Sequence, residues 1–257
     1  MKNLSAWLAF LAPIFMFVFS ILVILQTGFD VTSELDEPPV PLYITPSGYA
    51  FIIWQFIYLG FIGLGFYQLR KQVRDDISFV RARKYIIINS LANAAWFVAV
   101  LNNKVWITAV LIVVLLLTLI KTAVHLELGK PGADWKEKVF IKLPIALYFG
   151  WVTLATPINI TSFLLIDVGW TGQALLNPQI WSVIILLVAF GIIAMLYLRR
   201  KANGSYLLVG VWGLFAIYIA NQNLQNLVGY VALGLAITLV VILLFTRIAN
   251  GLKYRLL

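Results

Sequence analysis

Long apolar blocks follow one another along almost the whole chain, and short polar segments separate them. A helix of about 20 residues crosses the roughly 30 Å hydrocarbon layer of a membrane. The pattern therefore predicts an all-α integral membrane protein with about eight transmembrane helices. We place these helices at residues 6–28, 47–69, 85–102, 105–124, 139–160, 178–198, 206–223 and 227–245.

The second apolar block carries a stripe that a purely lipid-facing helix would not need. Trp54, Tyr58, Phe61 and Gly65 recur at helical spacing and share one face. Glycines also recur in this block, and small residues allow helices to approach each other closely in a membrane. The block is therefore expected to contact other helices and to help line a polar-aromatic space.

The third and fifth blocks carry comparable faces. Asn93 and Trp96 share a face of the third block, and Tyr148, Trp151 and Asn159 share a face of the fifth. An amide inside a membrane helix costs free energy unless it is hydrogen-bonded. Asn93 is thus expected to have a partner, and both a neighbouring helix and a bound ligand satisfy this requirement.

Tryptophans are found at two kinds of position. Five lie at the ends of predicted helices or in loops, where the membrane interface favours them. Four lie inside predicted helices, each about 9–13 Å from the outer helix end at 1.5 Å per residue. Their common depth predicts an aromatic layer in the outer half of the bundle, and the alternative is that large rings fill the core. These four are Trp54, Trp96, Trp151 and Trp212.

Composition and charge support the same fold class. The chain is 62% hydrophobic and 11% charged, which excludes an ordinary soluble domain. With both termini on one side, every lysine and arginine except Lys104 falls on that side. Because cytoplasmic loops are rich in these residues, we expect both termini in the cytoplasm. The net charge of +9 then reflects membrane orientation, and we expect a lipid bilayer and no nucleic acid as partner.

Three stretches resemble the TspO/MBR family of tryptophan-rich sensory and translocator proteins: "TPSGYAFIIWQFIYLGFIG", "LANAAWFVAVLNNKVW" and "WVTLATPIN". The resemblance covers about residues 5 to 160. Two family prolines are missing, since Ile52 and Ile53 stand before Trp54 and Leu147 stands at the second position. The family usually has five membrane helices. We therefore expect a TspO-like five-helix bundle over residues 1–160 and three additional helices with a basic tail over residues 161–257, in one continuous membrane domain.

The resemblance implies a ligand and a site. It implies binding of a planar hydrophobic molecule, a porphyrin-type tetrapyrrole or a sterol, in an aromatic pocket within the bundle, with a sensory, regulatory or ligand-handling role. It requires no cofactor beyond such a ligand and favours a bacterial plasma membrane, with a homodimer left open. The expected ligand-binding residues are Trp54, Tyr58, Asn93, Trp96, Tyr148, Trp151 and Asn159.

Other functions remain open at this point. One histidine, His125, and no cysteine give no multi-histidine or thiolate metal site, and no nucleophile or phosphate-loop motif is present. No carboxylate lies deep in a predicted helix, which disfavours a proton-coupled transporter. A transporter or permease for a hydrophobic or neutral molecule is the main alternative. A membrane enzyme acting on such a ligand is the other, and catalysis is the less favoured interpretation.

Overall fold

A computed structural model describes residues 2–27, 42–169, 177–199, 201–224 and 226–255, with side chains up to residue 249. Within these ranges the chain forms helices and no strands, and eight helices are long and apolar enough to cross a membrane. The protein is therefore an all-α multi-pass membrane protein, as the sequence predicts.

The helices that cross the bundle are labelled α1 to α8. A 3₁₀ helix, Gly48–Ile52, leads directly into α2, and the one-turn helix Trp135–Glu137 and the π-helical turn Lys138–Lys142 lead into α5. The bounds are α1 Lys2–Thr27, α2 Ile53–Tyr67, α3 Ile77–Leu101, α4 Val105–His125, α5 Leu143–Ile166, α6 Pro178–Leu198, α7 Gly204–Asn221 and α8 Leu227–Arg255.

Several helices are longer than their apolar blocks. The third helix begins at Ile77, although the sequence predicts a start at residue 85. Its first turn is stabilised because the Asp76 side chain accepts a hydrogen bond of 2.7 Å from the Ser78 amide. α5 continues to Ile166 and α8 to Arg255, beyond the predicted ends. Hydropathy marks the part of a helix that lies in lipid, whereas capping and backbone hydrogen bonds decide where the helix ends.

Five helices form a closed ring. Going round it, α2 contacts α1, α1 contacts α3, α3 contacts α4, α4 contacts α5, and α5 returns to α2. The three C-terminal helices pack against one another, with α8 lying along both α7 and α6. This three-helix group meets the ring through α5, chiefly along α7.

Small residues set the closest approaches between helices. A Cβ atom on Gly65 would lie 3.0 Å from the Phe10 Cα atom, so this glycine lets α2 lie directly on α1. A Cβ atom on Gly60 would lie 3.0 Å from Pro144. The prediction that the glycines of α2 meet other helices is thereby confirmed.

Polar contacts hold the end of the ring where most lysines and arginines lie. The buried Arg83 side chain donates through Nε to Gln68 Oε1 at 2.9 Å and through Nη2 to the Arg74 carbonyl. Lys142 is also buried and donates to the Glu127 carbonyl. These bonds tie the connections between helices to the helices themselves, so this end is packed and closed.

Candidate functional site

An enclosed cavity lies inside the ring, toward the end opposite the basic segments. Its volume is about 80 Å³, and its walls come from four ring helices, from α7 and from the segment before α2. We call it the inner cavity. It is lined by Thr45, Pro46, Phe51, Trp54, Trp96, Val100, Val105, Thr108, Ile112, Trp151, Leu154, Ala155, Ile158, Asn159, Ser162, Gly213 and Ile217.

Indole rings from three separate helices converge on this cavity. The ring centroids of Trp54 and Trp96 are 6.2 Å apart with planes inclined by 32°. Trp151 reaches the same space from α5 and meets the Phe51 ring edge-on at 5.5 Å. All three tryptophans are buried. Helical spacing in the sequence thus placed each ring on the face that turns inward.

Trp212, the fourth tryptophan inside a helix, occupies a different position. Its side chain is half-buried and lies outside the inner cavity, against Tyr49 at a ring distance of 5.2 Å. Its Nε1–H donates to the Ala50 carbonyl at 3.1 Å. The predicted layer of four indoles therefore consists of three rings around a cavity and one ring that holds the chain before α2.

A polar-aromatic layer closes the cavity on the side of the basic segments. The Tyr58 hydroxyl donates to Asn93 Oδ1 at 3.2 Å and accepts from Ser20 Oγ at 3.4 Å. Trp54 stacks on Tyr58 at 5.5 Å and meets Tyr148 edge-on at 5.6 Å. Of the seven expected site residues, four line the cavity, and Tyr58, Asn93 and Tyr148 form this layer beneath them.

One hydrogen bond orients the wall of the cavity. Trp96 Nε1–H donates to Asn159 Oδ1 at 3.1 Å, joining α3 to α5. The Asn159 amide nitrogen donates in turn to the Ala155 carbonyl at 2.9 Å. The indole of Trp96 is therefore fixed, and its donor is already used within the protein.

Three other polar atoms around Trp54 have no hydrogen-bond partner among the described residues. They are Trp54 Nε1, Asn93 Nδ2 and the Tyr148 hydroxyl. The last two lie near each other without reaching hydrogen-bond geometry. Buried polar groups in folded proteins are nearly always paired with protein, water or ligand, so these atoms are candidates for contact with an external partner.

The cavity also has a wall that the sequence did not predict. Gly213 and Ile217 of α7 line it, together with Thr45 and Pro46 from the segment before α2. Periodicity alone does not reveal which distant segment a helix face contacts. The signal in the sequence was the presence of Trp212 and Asn221 on one helix.

Fold and site together define a polytopic helical membrane protein with an aromatic cavity inside a five-helix ring. The family model described as TSPO-like protein matches residues 6–245 of the chain. The protein therefore belongs to the TSPO-like protein family. The match reaches well into α8, so it includes the three C-terminal helices as well as the ring. No curated protein and no solved structure matches the chain.

Proposed function

We propose that the protein binds a planar hydrophobic molecule of the tetrapyrrole or sterol class in the inner cavity. The observation that carries this proposal is the convergence of Trp54, Trp96 and Trp151 next to polar atoms without partners. Small-molecule sites are mostly apolar with a few polar groups that fix orientation. The cavity has this composition, and a sensory or ligand-handling role follows from the same binding event.

The arrangement of the rings suits a flat guest. Aromatic rings prefer offset stacking or edge-to-face contact at centroid distances of about 4.5–7 Å. The Trp54 indole already makes both kinds of contact, with Tyr58 stacked on it and Tyr148 edge-on. A planar ligand entering beside Trp54 and Trp96 replaces ring–ring contacts with contacts of the same kind. Trp54 Nε1–H is buried without a partner among the described residues, and it becomes available to an acceptor on the ligand once the rings move apart.

The size of the cavity sets a condition on binding. Drug-sized ligands occupy sites of about 300–1,000 Å³, and the inner cavity measures about 80 Å³. A tetrapyrrole therefore requires the walls to move outward. The segment of residues 42–50, which we call the cover segment, lies over the cavity and is the shortest of the elements that contribute to it. We propose that binding and displacement of the cover segment are coupled.

Binding is favoured over passage through the protein. Beneath the cavity, Tyr58, Tyr148 and Phe61 are almost completely buried and in contact, with ring centroids of Phe61 and Tyr148 5.0 Å apart. A transporter needs a path past this layer. We further propose that both termini are cytoplasmic, since lysine and arginine concentrate at their end. The inner cavity then lies in the outer half of the membrane.

A titration tests the proposal. Purified protein in detergent is titrated with protoporphyrin IX while tryptophan emission is recorded, and we expect saturable quenching. Trp54→Ala should weaken binding about tenfold, because an aromatic contact contributes about 0.5–1.5 kcal/mol beyond its buried area. Asn93→Ala should weaken it about fivefold, because a hydrogen bond contributes about 1 kcal/mol.

The matched control is Trp7→Ala, which removes an exposed indole of α1 far from the cavity. It should leave the affinity unchanged. A linear, unsaturable loss of emission, or equal weakening by Trp7→Ala, contradicts a site at the inner cavity. A sterol that displaces the porphyrin identifies a shared site for both classes, and flux of the porphyrin across proteoliposomes without saturable binding supports the transport alternative instead.

A further inference from the structure

The cover segment is attached to the three-helix group by three hydrogen bonds. Trp212 Nε1–H donates to the Ala50 carbonyl at 3.1 Å, and Asn221 Nδ2 donates to the Tyr43 carbonyl at 2.8 Å. Between them, the Ser47 amide donates to the Ala216 carbonyl at 3.1 Å. These bonds are spread along the whole segment. Some hydrogen bonds of the cover segment are local, within the segment or to the start of α2. Its other described hydrogen bonds all join it to α7.

The attachment continues into α8. Asn226 Nδ2 donates to Asn221 Oδ1 at 2.7 Å, and the Gly229 amide donates to Asn226 Oδ1 at 2.9 Å. Asn221 is buried and also donates to the Ile217 carbonyl at 2.8 Å. The side chain that holds Tyr43 is therefore itself held from both sides, which makes it a fixed point and not a loose surface contact.

The same helix forms part of the cavity wall. A Cβ atom on Gly213 would lie 2.3 Å from Leu154 Cδ1, and both residues line the inner cavity. The glycine therefore gives the Leu154 side chain its room. A larger residue at this position drives Leu154 toward the cavity or separates α7 from α5.

We propose that α7 controls access to the inner cavity: Trp212 and Asn221 fasten the cover segment, and Gly213 sets the width of the wall. The inference rests on the proposed function for the identity of the ligand, but the fastening itself is a property of the ligand-free protein. It gives the three C-terminal helices a role in the binding site, which the ring alone does not complete.

The first test needs no ligand. Hydrogen exchange of the backbone amides of residues 42–50 is compared in the natural protein, Trp212→Phe and Asn221→Ala. Phenylalanine keeps an aromatic ring against Tyr49 and removes the donor together with part of the indole surface. Since a hydrogen bond contributes about 1 kcal/mol, loss of one should raise opening of the segment roughly fivefold. The Ser47 amide, which bonds directly to α7, is the most direct reporter.

Tyr197→Phe is the matched control for this test. It removes the 2.7 Å hydrogen bond between Tyr197 and Thr246, which joins α6 to α8 outside the contacts of the cover segment. Exchange in residues 42–50 should stay unchanged in this variant. Unchanged exchange in Trp212→Phe overturns the fastening, and so does an equal rise in Tyr197→Phe, because general loosening of the group would then explain it.

The second test uses protoporphyrin IX and stopped-flow quenching. Trp212→Phe should raise both the association and the dissociation rate constants several-fold, because the covered state becomes less populated. Gly213→Ala should weaken binding about tenfold, whereas Gly210→Ala should not. Gly210 is also crowded, although less than Gly213, with its Cβ position 3.0 Å from Ile193 Cδ1, and it faces the three-helix group.

The two tests separate the two proposals. Faster exchange in Trp212→Phe together with no saturable porphyrin binding in any variant removes the proposed ligand and leaves the fastening by α7 intact. Saturable binding with rate constants and exchange that are the same in Trp212→Phe and the natural protein removes control by α7 and leaves the ligand site. Equal binding by Gly213→Ala and Gly210→Ala overturns the role of Gly213 in the wall.

Discussion

Two apolar spaces lie on different faces of α5, and they differ in volume, in lining residues and in exposure at the bundle surface. On one face is the inner cavity of about 80 Å³. On another is a groove of about 480 Å³ between α4, α5 and α6, lined by aliphatic side chains with Phe149, Thr153 and Pro157. We call it the outer groove. Several of its lining side chains are exposed at the bundle surface, where lipid covers them.

The difference lies in the hydrogen-bond donors. In the outer groove, Thr153 Oγ1 bonds to the Phe149 carbonyl and Tyr206, and Thr156 donates to the Val152 carbonyl, so both hydroxyls are already used. Beside the inner cavity, Trp54 Nε1 has no partner among the described residues. The larger space thus offers a mostly aliphatic surface with the Phe149 ring and the exposed Lys201 among its lining residues, and the smaller one offers indole rings and a buried donor. Volume by itself does not identify a ligand site in a membrane bundle.

Filling the inner cavity should have the largest effect. Ala155→Phe adds a ring from the α5 wall and should reduce protoporphyrin IX affinity by about 100-fold or more, at an overpacking cost of about 1–3 kcal/mol. Quenching titration gives the affinity, and circular dichroism on heating reports the fold. Affinity within a few-fold of the natural protein would place the ligand elsewhere.

Removing the unpaired Nε1–H donor of Trp54 is a smaller change beside the same cavity. Trp54→Phe keeps a ring on Tyr58 and deletes Nε1–H, and we expect roughly fivefold weaker binding of a ligand that offers an acceptor. A planar ligand without an acceptor should lose less. Equal losses for both ligands would show that the indole acts through its area and not through its donor.

Two asparagines one turn apart on α3 allow an amide that joins two helices to be compared with the amide proposed to serve the ligand. Asn89 donates to Thr118 Oγ1 at 2.8 Å and to the Leu115 carbonyl at 3.2 Å, joining α3 to α4. Asn89→Ala should lower stability by about 1 kcal/mol, or a few degrees in Tm, with no change in ligand affinity. Asn93→Ala is the matched variant, and weaker binding in Asn89→Ala would remove the distinction.

Filling the outer groove should have the smallest effect. Val188→Phe places a ring in the groove at an exposed position of α6 and should change porphyrin affinity by less than about twofold. The same titration measures it beside Ala155→Phe. A larger loss than in Ala155→Phe would reverse the comparison and identify the groove as the site.

The sequence predicted much of this architecture, because a membrane helix is marked both by the length of its apolar block and by the spacing of its inward-facing residues. Block length gave the eight helices, and helical spacing gave the inward faces of Trp54, Trp96 and Trp151. The start of α3 was missed because the helix that Asp76 caps carries Arg81, Arg83 and Lys84 before its apolar part. Charged residues there mark the edge of the lipid and not the end of the helix.

Helical periodicity does not show which segment of the chain packs against a given helix face. Trp212 has the same depth as the three cavity tryptophans, and only the packing of α7 directs it to Ala50, 162 residues earlier in the chain. The resemblance in the sequence stopped near residue 160, whereas the family model continues to residue 245. The sequence therefore did not predict that α7 lines the cavity, because contacts between residues so far apart in the chain leave no local pattern.

The bond between Trp212 and Ala50 has a consequence for biosynthesis. The chain is made from its N-terminus at about 5–20 residues per second, so the residues that fasten this segment emerge roughly 10–30 seconds after it. During that interval a nascent chain can already hold its first helices in the bilayer while the cover segment lacks its hydrogen bonds to α7. The wall of the inner cavity is therefore complete only after α7 has been synthesised.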